Sequence, residues 1–153
     1  MILFLDFDGV LHPRYENGTV SVEAAFCHLP RFEAVMHDFP EVQIVISSTW
    51  REQFSLDKLR TWFSADIAAR IVGATPIVPA DHPGSLERRE SEIVAWLVEQ
   101  GRSSEPWLAL DDSTWQFRYC RDHLVACTSY VGLDGRAEAR LRAALRSALS
   151  DKS

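Results

Sequence analysis

Two aspartates at the end of the first apolar run constrain this chain more than any other feature. Residues 1–12 read Met-Ile-Leu-Phe-Leu-Asp-Phe-Asp-Gly-Val-Leu-His. A short unbroken apolar run bounded by a turn signal reads as a strand buried on both faces. Asp6 and Asp8 then stand where strand gives way to loop, and in open α/β sheets ligands bind at the carboxyl ends of strands. Side chains two residues apart share one side of a strand, about 6–7 Å apart along it. Carboxylates that close repel unless a cation lies between them. Mg²⁺, which takes one or two carboxylates plus waters or phosphate oxygens, is the cation expected. Gly9 lets the backbone turn sharply and approach a ligand.

At 153 residues the chain is expected to form one domain, residues 1–150, with a frayed, disordered tail at 151–153. Its net charge of −6 lacks the strongly basic footprint of a general nucleic-acid binder. The five apolar residues before Asp6 are too few for a signal peptide or membrane span, so no membrane partner is expected. Cys27, Cys120 and Cys127 make no close metal-ligand pair. Read as free thiols, they point to a reducing, cytoplasmic setting. The sequence leaves the oligomeric state open.

Residues 12–29 hold His12, Pro13 and Asn17-Gly18, a strong turn signal, so a loop or small β-hairpin is expected, with alternation around Thr19 to Val22. From Pro30 onward, Phe32, Val35, Met36 and Phe39 keep helical spacing until Pro40. Residues 42–46 predict a second buried strand that delivers Ser47-Ser48-Thr49-Trp50-Arg51. Serines at such a junction cap helices, and helix starts bind phosphate through the same unpaired amides. Leu56, Leu59, Trp62 and Phe63 predict a helix opened by Ser55, and residues 70–74 a third strand. Residues 75–85 are proline-rich loop, and residues 86–100 are helical, with Arg88 and Arg89 near the start and Gly101 as the stop. Residues 107–110 predict a fourth strand ending in Asp111-Asp112, and residues 123–127 a fifth. A final helix follows Gly135, with Arg136, Arg140, Arg142 and Arg146 on its solvated side. Strands alternating with helices predict a parallel five-stranded sheet in a three-layer α/β/α sandwich with right-handed crossovers.

The stretch Asp6-Phe7-Asp8-Gly9-Val10-Leu11 resembles motif I of the haloacid dehalogenase (HAD) superfamily, Asp-x-Asp-Gly-x-(Val/Thr)-Leu. That resemblance implies a Rossmann-like fold and an aspartyl-phosphate mechanism, with Asp6 as nucleophile and Asp8 as general acid and base. Asp8 would start protonated, so its pKa is expected to be raised. The resemblance further implies that Ser47, or Ser48 if the strand ends one residue later, holds the phosphoryl group. Arg89, or Arg88, would replace the usual lysine of motif III, keeping the charge but with a longer, forked group. Asp112 would join Asp6 and the Asp8 carbonyl on Mg²⁺, with Asp111 acting through water or positioning its neighbour. HAD caps insert at positions equivalent to residues 12–29 and 75–85, and both are too short here, so no cap domain is expected. The fuller wording narrows the likeness: Asp-Phe-Asp-Gly-Val-Leu-His-Pro, Ser-Ser-Thr-Trp-Arg, Arg-x-x-Glu-Ile-x-x-Trp-Leu, then Leu-Asp-Asp. From residue 1 to about 135 it is similar to the HAD domains of bacterial Swiss Army knife RNA-repair proteins.

The expected function is therefore a capless Mg²⁺-dependent phosphohydrolase, open to a large substrate such as a nucleic-acid end. His12, Trp50 and Arg51 are the nearest groups able to stack on a base or meet a phosphate, although Arg51 alternatively pairs with a surface carboxylate. Two other readings stay open: a non-catalytic HAD-like binding or regulatory module, and a phosphatase of a small phosphorylated metabolite.

Overall fold

Ile2–Leu5 (β1), buried at all four positions, forms the middle of a five-stranded parallel sheet in the computed structural model, which describes residues 1–15, 17–19 and 21–151. Its neighbours are Gln43–Ile46 (β2) and Trp107–Asp111 (β4), flanked by Ile71–Ala74 (β3) and Leu124–Ala126 (β5). The order β3-β2-β1-β4-β5 places the first aspartate strand between the two others that end in polar residues. Helices Leu29–Asp38 (α1), Leu56–Arg60 (α2), Ala65–Ala68 (α3), Arg88–Glu99 (α4) and Gly135–Ser150 (α5) complete the α/β sandwich. Between the bridge residue His12 and the start of α1, and over residues 75–85, the possible cap positions hold only turns and irregular chain among the described residues.

Alternation along the strands sorts the core into two layers. Leu3, Leu5, Ile44, Ile46, Leu108 and Leu110 pack with Phe32, Leu59 and Leu141 of the helices on one face. Ile2, Phe4, Val45, Trp107 and Ala109 pack on the other against Ile93, Trp96 and Leu97 of α4. Each buried side chain of this size stabilises the fold by about 1.5–3 kcal/mol.

The alternation continues one step beyond the strand ends. Backbone bonds from Asp6 N to Leu110 O (3.1 Å), Ser47 N to Leu5 O (3.0 Å) and Thr75 N to Ile46 O (2.9 Å) extend the ladder. Asp6, Ser47 and Asp111 therefore follow Phe4, Val45 and Ala109 on the side of α4. This period-two rule aims three polar side chains at the start of one helix.

Several local expectations are corrected. Of the loop or small hairpin expected at Asn17-Gly18, the structure has the loop: Gly18 N donates to Tyr15 O, and no strand forms around the turn among the described residues. Val20, within the expected alternation, lies outside the described residues, as do Lys152 and Ser153 of the expected tail. The helix opened by Ser55 ends at Arg60, and Ser64 starts α3 instead. Ser64 satisfies its amide and hydroxyl on Glu33 of α1, which the local pattern could not reveal. Helix α4 starts at Arg88, leaving Leu86 outside it and exposed.

The Arg51 side chain is buried, and its carboxylate partner is an internal one rather than a surface one. Its Nε donates to Thr75 O (2.9 Å), Nη1 to Ser47 O (3.2 Å) and Ser48 O (3.0 Å), and Nη2 to Pro76 O (3.1 Å). Nη2 also pairs at 2.7 Å with Glu92, a buried α4 carboxylate that accepts the Val78 amide. The guanidinium thus bolts the ends of β2 and β3 to α4. Arg51→Ala should cost about 3–5 kcal/mol in urea unfolding, because it strands a buried carboxylate and several carbonyls. Wild-type stability with a raised KM would restore a substrate role.

Candidate active site

Asp6, Asp111 and Asp112 each offer a carboxylate oxygen within 4.8 Å of the others, and all three are buried. Arg89 enters from the first turn of α4, where Gln116 accepts its backbone N–H at 3.0 Å. Its Nη1 lies 3.1 Å from Asp6 Oδ1 and 2.7 Å from Asp111 Oδ2. Burial opposes its charge, but Asp6 and Asp111 outweigh that and hold the guanidinium protonated. Arg88 instead pairs with Glu52 and Glu92, away from the cluster.

The carboxylates are not equivalent. Burial, with Asp111 and Asp112 alongside, holds the Asp6 carboxyl well above the usual range against the pull of Arg89. Burial raises Asp111 as well, opposed by Arg89 and by the Ser113 amide that donates to its Oδ1 at 2.8 Å. Asp112 Oδ2 is buried without a hydrogen bond; Arg14 Nη2 lies 3.1 Å away, an ion pair by distance but not aligned as a donor. A Cβ on Gly9 would fall 2.2 Å from this same oxygen, and Gly9 has φ +76°. Glycine is thus required by both conformation and space.

Ser47 and Ser48 differ as sharply. The Ser48 hydroxyl accepts the Trp50 amide at 3.3 Å, capping the 3₁₀ turn Thr49–Glu52. The Ser47 hydroxyl is buried without a partner, beside the strand ends that carry the carboxylates. It is the one available to an incoming oxygen.

Asp8 departs most from expectation. Its carboxylate lies outside the acidic cluster, because the chain leaves the strand at Leu5: the Val10 and Leu11 amides close on Phe7 O, and alternation ends there. The residue-level expectation of a cation between the Asp6 and Asp8 carboxylates is therefore replaced by a cluster of Asp6 with Asp111 and Asp112. Oδ1 of Asp8 is held by two ring donors, His12 Nε2 at 2.8 Å and Trp50 Nε1 at 3.0 Å. The Phe26 amide donates to His12 Nδ1 at 3.2 Å, so the ring hydrogen facing Asp8 is on Nε2. Partial burial pushes the Asp8 carboxyl up, but the bonds from His12 and Trp50, with the charge of Arg14, bring it below the usual value. The expected rise is wrong, because donors to the charged form prevail over desolvation. His12 is fully buried and cannot stack on a base. Trp50, half-buried, packs edge-on against Phe7, Phe26 and Trp62 and presents its indole N–H to Asp8.

Oxygen-only donors with an unbonded buried oxygen suit a hard divalent cation. One buried guanidinium among three carboxylates leaves negative charge for such an ion to balance, and the site fits it.

Residues 2–137 match the family described as the HAD domain in Swiss Army Knife RNA repair proteins. The chain belongs to this family. No curated protein and no solved structure matches it. Membership in this HAD family implies phosphohydrolase-type chemistry and matches the all-parallel sheet and the absence of a cap among the described residues. Sequence reasoning missed three contributors to this HAD site: Arg14, Glu92 and Gln116. Only the first had a signal, a cation near motif I; the others act across folded elements.

Asp112→Ala should abolish binding of a divalent ion, read by calorimetry, because Asp112 holds the unbonded oxygen. Asp111→Ala should mainly lower the unfolding temperature, because it frees buried Arg89. The reverse order would mean that Asp111 is the direct ligand.

Proposed function

We propose that the chain is a cytoplasmic Mg²⁺-dependent phosphomonoester hydrolase working through an aspartyl phosphate on Asp6, with a nucleic-acid terminus as its foremost substrate. One observation carries this reading: the buried Asp6 sits against Arg89 and the Asp111–Asp112 pair, next to the unbonded hydroxyl of Ser47. The family description supports the nucleic-acid end, and the three free thiols fit a reducing compartment. No helix among the described residues is long and apolar enough to cross a membrane.

In this reading an Asp6 oxygen attacks phosphorus as the bond to the leaving oxygen breaks, and Asp8 delivers the proton which that oxygen takes. Water then attacks the aspartyl phosphate and gives its proton to Asp8, which frees Asp6 and phosphate. Ser47 donates to a phosphoryl oxygen, and Arg89 holds Asp6 in place while adding positive charge. Asp6, the Asp8 carbonyl and Asp112, with Asp111 behind, would hold Mg²⁺, which would supply positive charge to the phosphoryl group. The clamp on Asp8 favours its ionised form, which suits the second step and makes the first depend on pH.

The decisive assay is phosphate release from an aryl phosphate with Mg²⁺ and with EDTA. Turnover should need metal and vanish in Asp6→Asn, whose amide is a poor nucleophile. A stable fold that never turns over would favour the binding-module alternative. Phosphorylated oligonucleotides should exceed free nucleotides and sugar phosphates in kcat/KM. A tenfold preference for a metabolite, about 1.4 kcal/mol in the transition state, would favour the small-molecule alternative.

The Asp8 environment gives a pH test. With its carboxyl below the usual range, the protonated fraction falls steadily as pH rises. The ratio of kcat/KM for an alkyl phosphate to that for an aryl phosphate cancels titrations common to both. This ratio should fall throughout about pH 5 to about pH 8, because only the poor leaving group needs the proton. A ratio that stays flat to neutrality would mean that Asp8 is protonated there.

A further inference from the structure

A leaving group needs a place within reach of the residue that protonates its oxygen. Asp8 lines a recess of about 340 Å³ together with Thr49, Trp50, Gln53 and Phe54. A second recess of about 350 Å³, lined by Arg14, Tyr15, Gly18, Ser129 and Tyr130, adjoins the cluster through Arg14 and does not include Asp8. Proximity to Asp8 therefore selects the first.

The walls of that recess are stiff. Trp50 is tied to Asp8 by its N–H and wedged among Phe7, Phe26 and Trp62, with ring centres 5.3–5.6 Å away. Phe54 lies 5.8 Å from Trp50 and stands edge-on to Trp62 at 5.3 Å. Thr49 and Gln53 are exposed, and among the described residues neither side chain makes a hydrogen bond. Two fixed aromatic rings, a free amide and a free hydroxyl suit a planar ring with polar edges: rings reward stacking on any base, and Gln53 and Thr49 can meet edge atoms. A compact acyl group would leave most of this volume empty.

We propose that the Thr49–Trp50–Gln53–Phe54 recess is the leaving-group subsite and that it takes the ring of an aryl or nucleoside ester. This rests on the hydrolase reading, in which Asp8 protonates the leaving oxygen. It assigns the ring-binding role to Trp50, Phe54 and Gln53 and leaves the Tyr15–Tyr130 side to other parts of a substrate.

The test is steady-state kinetics of the Mg²⁺-loaded protein on a nucleoside monophosphate and on acetyl phosphate, which has no ring. Gln53→Trp fills the recess from an exposed position, and Gln53→Ala removes only the amide. Tyr130→Ala alters the other recess. Each variant is compared with wild type on each substrate, so intrinsic reactivity cancels, and unfolding temperatures check the fold. Gln53→Trp should lower kcat/KM for the nucleotide at least tenfold more than for acetyl phosphate, with Gln53→Ala in the same direction and smaller. Tyr130→Ala should leave that ratio unchanged. Equal losses on both substrates in Gln53→Trp, or a selective nucleotide loss in Tyr130→Ala, would overturn the subsite. Wild-type protein that hydrolyses neither substrate would overturn the subsite, and the hydrolase reading falls with it only if the aryl phosphate and a phosphorylated oligonucleotide are untouched as well.

Discussion

The buried guanidinium of Arg89 is what allows two carboxylates to stand side by side at the end of the sheet. Asp6 and Asp111 belong to adjacent strands, and neither could be buried there unpaired, since an isolated buried charge costs several kcal/mol. Arg89 meets both through one nitrogen. Its position depends in turn on the first turn of α4, fixed by Gln116 at the helix start and by the packing of Ile93, Trp96 and Leu97 on the sheet. The core and the charged site are thus one assembly, and the helix that covers the sheet also delivers the cation.

A second ion pair braces this assembly from beside it. Arg51 and Glu92 are both buried, and every contact of Arg51 goes to a carbonyl or to that carboxylate. It holds the backbone of Ser47 and Ser48 against the end of β3, and so fixes where the Ser47 hydroxyl sits. Asp8 is governed the same way from the other side, by His12 and Trp50 on one oxygen. The side chains of Arg51 and His12, polar and close to the motifs in the sequence, are buried here among protein partners and hold the residues around the site in place. The part of Trp50 that remains accessible lines the recess beside Asp8, so one residue joins support and surface.

Much of the architecture was legible beforehand. Each strand was found within one residue at either end, because short apolar runs closed by Asp, Ser or Gly leave little choice of period. The errors fall where side chains reach across the fold. The helix after Ser55 divides because Ser64 bonds to Glu33 of α1, and α4 starts late because Glu87 and Leu86 stay in the preceding turns. The rise expected for Asp8 failed for a related reason: it was inferred from the chemistry of a reaction, whereas the group responds to two donors, one of them forty-two positions away.

The sequence by itself determined the sheet, its parallel sense and the row of acidic and hydroxyl residues at the strand ends, because periodicity and turn residues act locally and survive without knowledge of packing. It also determined that Arg88 or Arg89 would supply the cation. Tertiary structure alone decided between them, since the helix phase sends Arg89 to Asp6 and Arg88 to Glu52. It alone separated Ser47 from Ser48, by giving the second a capping bond and the first none. It alone turned the Asp8 carboxylate away from Asp6, because hydrogen-bond partners and burial are set by residues distant in the chain, and those two quantities govern which charge a carboxylate keeps.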